Sequence, residues 1–151
     1  MNKIAQWSDA LVLGIPEIDG QHKGLLDMVN ALWEAIVSKA ETQKVEQILG
    51  ELIHYTQAHF TAEEALMRVE SYPRFREHRV EHQDFIKQVA AAQAGLAKGQ
   101  FLGLDLLHYL TDWLVKHIQG GDKHYASFIA EKHRPKSFFA RFFAAFRPQH
   151  A

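Results

Sequence analysis

The stretch that most constrains this chain runs from His59 to His82 and reads HFTAEEALMRVESYPRFREHRVEH. His59 and Glu63 are four residues apart, and so are His78 and His82. Positions four apart on an α-helix lie about 40° from each other around the axis, so each pair shares a face. Between the pairs, Pro73 disfavours helical geometry at Tyr72 and is itself tolerated at a helix start. The stretch therefore predicts a helical hairpin with two ligand-like pairs close to its turn. Packing alone does not account for three imidazoles and a carboxylate converging at one end of a hairpin. A metal site does.

The rest of the chain supplies partners for that hairpin. Residues 1 to 18 show no period, but Trp7, Leu11, Leu13 and Ile15 predict an arm packed on the domain. Asp19 is the expected N-cap of a first helix reaching about Lys39, with an apolar stripe of Leu25, Leu26, Val29, Leu32, Trp33 and Ile36 that also carries His22. A second helix is expected from Thr42 to Glu70, with His59 and Glu63 on its core face. A third spans about Arg74 to Lys98 and is ended by Gly99. A fourth covers Leu104 to Lys132 and presents Leu107, Leu110, Leu114, His117, Ile118, Tyr125 and Ile129. No alternation of the β type persists, so the expected fold is all-α: an up-down-up-down four-helix bundle with an N-terminal arm.

That topology puts the starts of helices one and three beside the ends of two and four. His22, His78 and His82 lie early in their helices, whereas His59, Glu63, His117 and Asp122 lie late in theirs. All seven fall in neighbouring layers at one end of the bundle. Singly, each histidine reads as a hydrogen-bonded core or surface group; as a set on four converging stripes they read as metal ligands. The remaining histidines act as controls. His54 and His108 should face elsewhere, His124 should lie beyond the site, and His133 and His150 should be solvated. Glu64 sits about 100° around from Glu63, which suits a salt bridge or a contact to a ligand rather than ligation.

His117 and Asp122 are five residues apart, about 140° on a regular helix. For both to reach one site the turn must widen, as a π-bulge does. Gly120-Gly121 lies inside it, where two glycines cost about 2 kcal/mol of helix propensity. A local distortion is expected there.

Ile18-Asp19-Gly20-Gln21-His22, His59-Phe60-Thr61-Ala62-Glu63-Glu64, His78-x-x-x-His82 and Trp113-Leu114-Val115-Lys116-His117-x-x-x-x-Asp122 resemble the hemerythrins, in particular the bacterial single-domain kind. The resemblance covers roughly residues 5 to 132, and all seven ligand positions match. It implies two non-haem irons with an oxo or hydroxo bridge. His78, His82 and His117 would ligate one iron, His22 and His59 the other, and Glu63 and Asp122 would bridge them. One coordination position then stays open for O2. Five neutral imidazoles in place of most of the carboxylates of ferritin-like sites favour binding over high-valent chemistry. Trp113, Leu114 and Ile118 flank His117 and are the candidate lining of the O2 pocket.

The implied function is reversible dioxygen binding, for carriage, storage or delivery to an oxygen-consuming partner, and the chain is not expected to be an enzyme. Two other classes remain open at this point: a di-iron redox enzyme acting on peroxide or nitric oxide, and an oxygen or iron sensor module. A formal net charge of −1 provides no basic field for nucleic acid. The absence of cysteine excludes thiolate zinc sites and iron–sulfur clusters. No apolar run approaches the ~20 residues that cross a bilayer, and no signal-peptide pattern opens the chain, so a cytoplasmic location is expected.

The domain is expected to occupy residues 1 to 132, followed by a basic, Phe-rich extension from 133 to 151. After Glu131 there is no acidic residue, while Arg134, Lys136, Arg141 and Arg147 are positive, leaving the preceding part near −5. Phe138, Phe139, Phe142, Phe143 and Phe146 fall within an arc of about 140°, which predicts a short amphipathic helix. Such a helix folds back on its own bundle, docks on a partner or second copy, or lies on an anionic membrane surface.

Overall fold

The computed structural model describes residues 3–134. The expected amphipathic helix after Pro135 lies outside the described residues. Helix α1 spans Pro16–Val37, α2 Thr42–Val69, α3 Phe75–Ala97, α4 Leu104–His117 and α5 Lys123–Lys132. A single π turn, Ile118–Asp122, joins α4 to α5, so the two continue as one fourth rod. No strand occurs among the described residues, and the architecture is a four-helix bundle.

The stripes close on one another as their spacing demands. Leu25, Val29 and Leu32 of α1 meet Leu49 and Leu52 of α2, Phe85 and Val89 of α3, and Leu107 and Leu110 of α4 in one core. The N-terminal arm seals the edge: Ala5 and Leu11 are buried, and Asn30 holds the Ala5 backbone with bonds of 3.0 and 2.8 Å.

Three helix ends share one solution. After α1, α2 and α3 the chain turns left-handed at Lys39, Ser71 and Gly99, with φ of 55°, 56° and 82°. In each, the next amide reaches back five residues, as Tyr72 N–H does to the Met67 carbonyl at 2.9 Å. This stop permits the tight reversal ahead of Pro73.

One expected detail changes. Asp19 is not the N-cap of α1, because the helix begins three residues earlier with Pro16 in its first turn. Proline is favoured there because its missing N–H would have no helical partner. Asp19 instead reaches back from inside the helix and accepts the Leu13 and Gly14 amides at 2.8 and 3.1 Å.

Candidate metal centre

The structure brings all seven candidate ligands together. His22, His59, Glu63, His78, His82, His117 and Asp122 are each no more than 5% exposed. The π turn explains how the last two meet. By adding a residue to the turn, it returns Asp122 to the face of His117, and the two side chains lie 3.0 Å apart. Five-residue spacing and the glycine pair had required this distortion.

The distances sort the candidate ligands into two sets. Glu63 Oε1 faces His22 Nε2 at 3.4 Å and His59 Nε2 at 3.5 Å. Its other oxygen faces His82 Nε2 at 3.3 Å and His78 Nε2 at 3.8 Å. Asp122 divides its oxygens the same way: Oδ2 lies 3.1 Å from His22, and Oδ1 lies 3.1 Å from His78 and 3.0 Å from His117. Each carboxylate thus spans from the pair His22 and His59 to the trio His78, His82 and His117.

Hydrogen bonds on the far side of the rings fix their orientation. His59 Nδ1 meets Gln21 Oε1 at 2.7 Å, His82 Nδ1 meets Glu64 Oε1 at 3.1 Å, and His117 Nδ1 meets Glu81 Oε2 at 2.8 Å. An amide oxygen and two carboxylates only accept, so the protons of the neutral rings sit on Nδ1 and the Nε2 lone pairs point inward. With both rings neutral, as metal ligation requires, His82 Nε2 and His117 Nε2 face each other at 3.1 Å as two lone pairs. Such an arrangement repels unless a cation lies between the lone pairs. For metal–nitrogen bonds of about 2.1 Å, ligands at right angles stand about 3 Å apart, which is the spacing seen.

Buried polar atoms without a partner make the same point. Both nitrogens of His22, His78 Nε2, Glu63 Oε2 and both oxygens of Asp122 have none. An unpaired buried polar atom costs about 1–3 kcal/mol, and more when charged, and one protein region does not gather six such atoms without a ligand to satisfy them. Imidazole and carboxylate donors without thiolate suit iron and its neighbours in the first transition row.

Electrostatics agree. Burial raises the Glu63 and Asp122 carboxyls, but the surrounding imidazoles outweigh it and hold both below the ordinary carboxylate range. Burial lowers His22 and His117, but Asp122 and Glu63 outweigh it and carry them to about 9 and about 10. His59, where burial dominates, is held down to about 4. The two carboxylates demand positive charge, which protons supply when a metal does not.

Residues 13–129 match the family model of the hemerythrin HHE cation binding domain. The chain belongs to the hemerythrin family. It is 37% identical over 120 residues to the bacteriohemerythrin of Stenotrophomonas maltophilia, covering 80% of this chain and 78% of that protein. It is 35% identical to the bacteriohemerythrin of Pseudomonas aeruginosa, covering 82% and 80%. The crystal structure of a wild-type hemerythrin superimposes with a TM-score of 0.77 at 30% identity, covering 82% of this chain and 96% of that one. Family and cluster together make this a non-haem iron domain of the hemerythrin kind.

Other residues take the places their spacing suggests. His54 and His108 are exposed, and exposed His124 pairs with the Tyr72 hydroxyl at 2.7 Å, away from the cluster. Glu64 holds a ring without entering the cluster, and Arg79 lies 3.7 Å from it. Trp113 stacks on His117 with centroids 4.3 Å apart, and Leu114 and Ile118 are buried beside it in the core.

Sequence reasoning gave no role to Gln21, Glu81 or Tyr125. Tyr125 is fully buried and donates to Glu63 Oε1 at 2.7 Å. Burial, with Glu63 and Asp122 nearby, pushes its phenol far above the usual value, so it stays a donor. Its position three residues after Asp122 was the available signal.

Proposed function

We infer that this domain binds dioxygen reversibly at a non-haem di-iron centre and is not an enzyme. His78, His82 and His117 would hold one iron, and His22 and His59 the other. Glu63 and Asp122, each facing both imidazole sets, would hold both irons. The observation that carries this reading is the split of both carboxylates between the two imidazole sets. When bound, the iron pair would supply two electrons to dioxygen and take them back.

The chain's own residues determine what surrounds that chemistry. Phe60 lies flat on His82 at 3.7 Å and Trp113 flat on His117, and Leu114 and Ile118 continue the apolar packing on the same flank. These groups exclude water and reductants and offer no general acid, which favours binding over turnover. Tyr125 holds Glu63, and Gln21, Glu64 and Glu81 hold three rings, so the ligands are oriented before metal arrives. Carriage, storage and delivery to an oxygen-consuming enzyme all use the same site. No described helix is long and apolar enough to cross a membrane.

The test is the visible spectrum of the Fe(II)-loaded protein under argon, in air, and under argon again. Reversible binding gives a coloured form in air that bleaches when oxygen is removed. Irreversible conversion to a diferric form, with peroxide released or consumed, would move the reading to a redox enzyme.

A further inference from the structure

The apolar flank suits a gas but not a hydrated cation, and the centre must load its metal from water. A second face of the site has the opposite character. A cavity of about 300 Å³ opens beside the π turn, lined by Tyr72, Arg74, Glu77, His78, Glu81, Gly120, Gly121 and His124. Two carboxylates, one guanidinium and the His124 imidazole, bonded to Tyr72, line it. At its floor is His78, only 4% exposed: its Nδ1 edge lies beneath Gly121, and its Nε2, with no hydrogen-bond partner, points inward 3.1 Å from Asp122.

Gly121 keeps this mouth open. A Cβ on Gly121 would come within 3.2 Å of His78 Nδ1 and 3.3 Å of Glu81 Oε2, so a side chain there would press on both. The widened turn thus does two things: it aims Asp122 inward and leaves bare backbone over His78. A cavity on another face reaches His82 and also carries a carboxylate, Glu64, but there Phe60 covers the ring at 3.7 Å and Lys87 and Arg79 offset that charge.

We propose that the mouth beside the π turn is the metal-entry site, at which a hydrated divalent cation docks against Glu77 and Glu81 before passing to His78. The proposal rests on the di-iron reading above. Glu77 attracts the cation and exchanges its water. Glu81 does the same at the inner edge while holding His117, and His78 is the first buried ligand reached. Oxygen and metal therefore use different faces of one centre.

The test is stopped-flow uptake of Fe(II) or Co(II) by the metal-free full chain, followed by quenching of tryptophan fluorescence and by metal content after gel filtration. Trp113, stacked on His117, is the reporter. Glu77→Lys is expected to slow uptake at least fivefold at low salt, with the difference shrinking at high salt, and Gly120→Ile to slow it by narrowing the mouth. Lys87→Glu, at the other opening, is expected to leave the rate unchanged. All three variants should still reach two metals per chain. Two metals per chain at equal rates in wild type and Glu77→Lys, or faster uptake by Lys87→Glu, would overturn the entry site alone. Failure of the wild-type chain to take up stoichiometric metal would overturn the di-iron reading and the entry site together.

Discussion

Leu32, Leu49, Leu52, Leu107 and Leu110 fill one half of the bundle without exposed surface, whereas the other half surrounds five imidazoles and two carboxylates just as deeply buried. The leucine half needs nothing from outside, because apolar burial satisfies every group in it. The histidine half contains buried polar atoms with no hydrogen-bond partner, which the chain itself answers only by protonating His22 and His117. One fold therefore joins a self-sufficient scaffold to a region completed by a cation. Metal removal should separate the two halves.

The largest expected effect comes from that removal. After chelation, amide exchange should speed up through the π turn, α5 and the start of α1, while Leu49, Leu52, Leu107 and Leu110 keep their protection. Uniform loss of protection would show the halves to be one cooperative unit. In the metal-free chain, His22 and His117 titrate near 9 and 10 against an ordinary 6.5. Their folded values are raised, so the stability they contribute is full below about 6.5 and is lost as pH rises through 9 to 10. Melting temperature should thus fall across pH 7 to 10 in the metal-free chain and stay flat over that range with iron bound.

Glu63→Ala removes the carboxylate that faces both imidazole sets. Iron content should fall below one per chain, measured by metal analysis after gel filtration. In the other half, Leu107→Ala should cost about 2–5 kcal/mol in denaturant unfolding while iron content stays unchanged. Iron loss in Leu107→Ala would blur the division between the halves.

Smaller effects lie around the rings. Glu81→Gln keeps an acceptor for His117 but loses its charge, and metal affinity should drop about 10–100-fold, read by competition with a chelator. The smallest effect lies at the leucine end, where Lys39 is left-handed at φ 55°. Lys39→Gly should relieve about 1 kcal/mol of strain and raise the melting temperature by a few degrees without touching the metal.

Much of this division is legible in the sequence because both halves share one helical period. The same spacing that places Leu49 and Leu52 inward places His59 and Glu63 inward, so the ligands appear as polar residues on apolar stripes. The π turn is legible for a complementary reason: five-residue spacing cannot share a face on a regular helix, and two glycines mark where it gives way. Contacts that cross between helices are not legible in this way. Glu81 reads as a solvent charge on α3 until the distance to His117 on the fourth rod is known. Gln21 lies beside His22 in sequence yet holds His59, 38 residues away. Asp19 misleads because a carboxylate near a helix start serves equally as a cap or, as here, as an anchor for the preceding loop.

The most direct test of the central claim is an anomalous-scattering map of the iron-loaded crystal at the iron edge. Two peaks about 3.5–4 Å apart, one against His22 and His59 and the other against His78, His82 and His117, with Glu63 and Asp122 reaching both, are the expected result. A single peak, or two that share neither carboxylate, would contradict it.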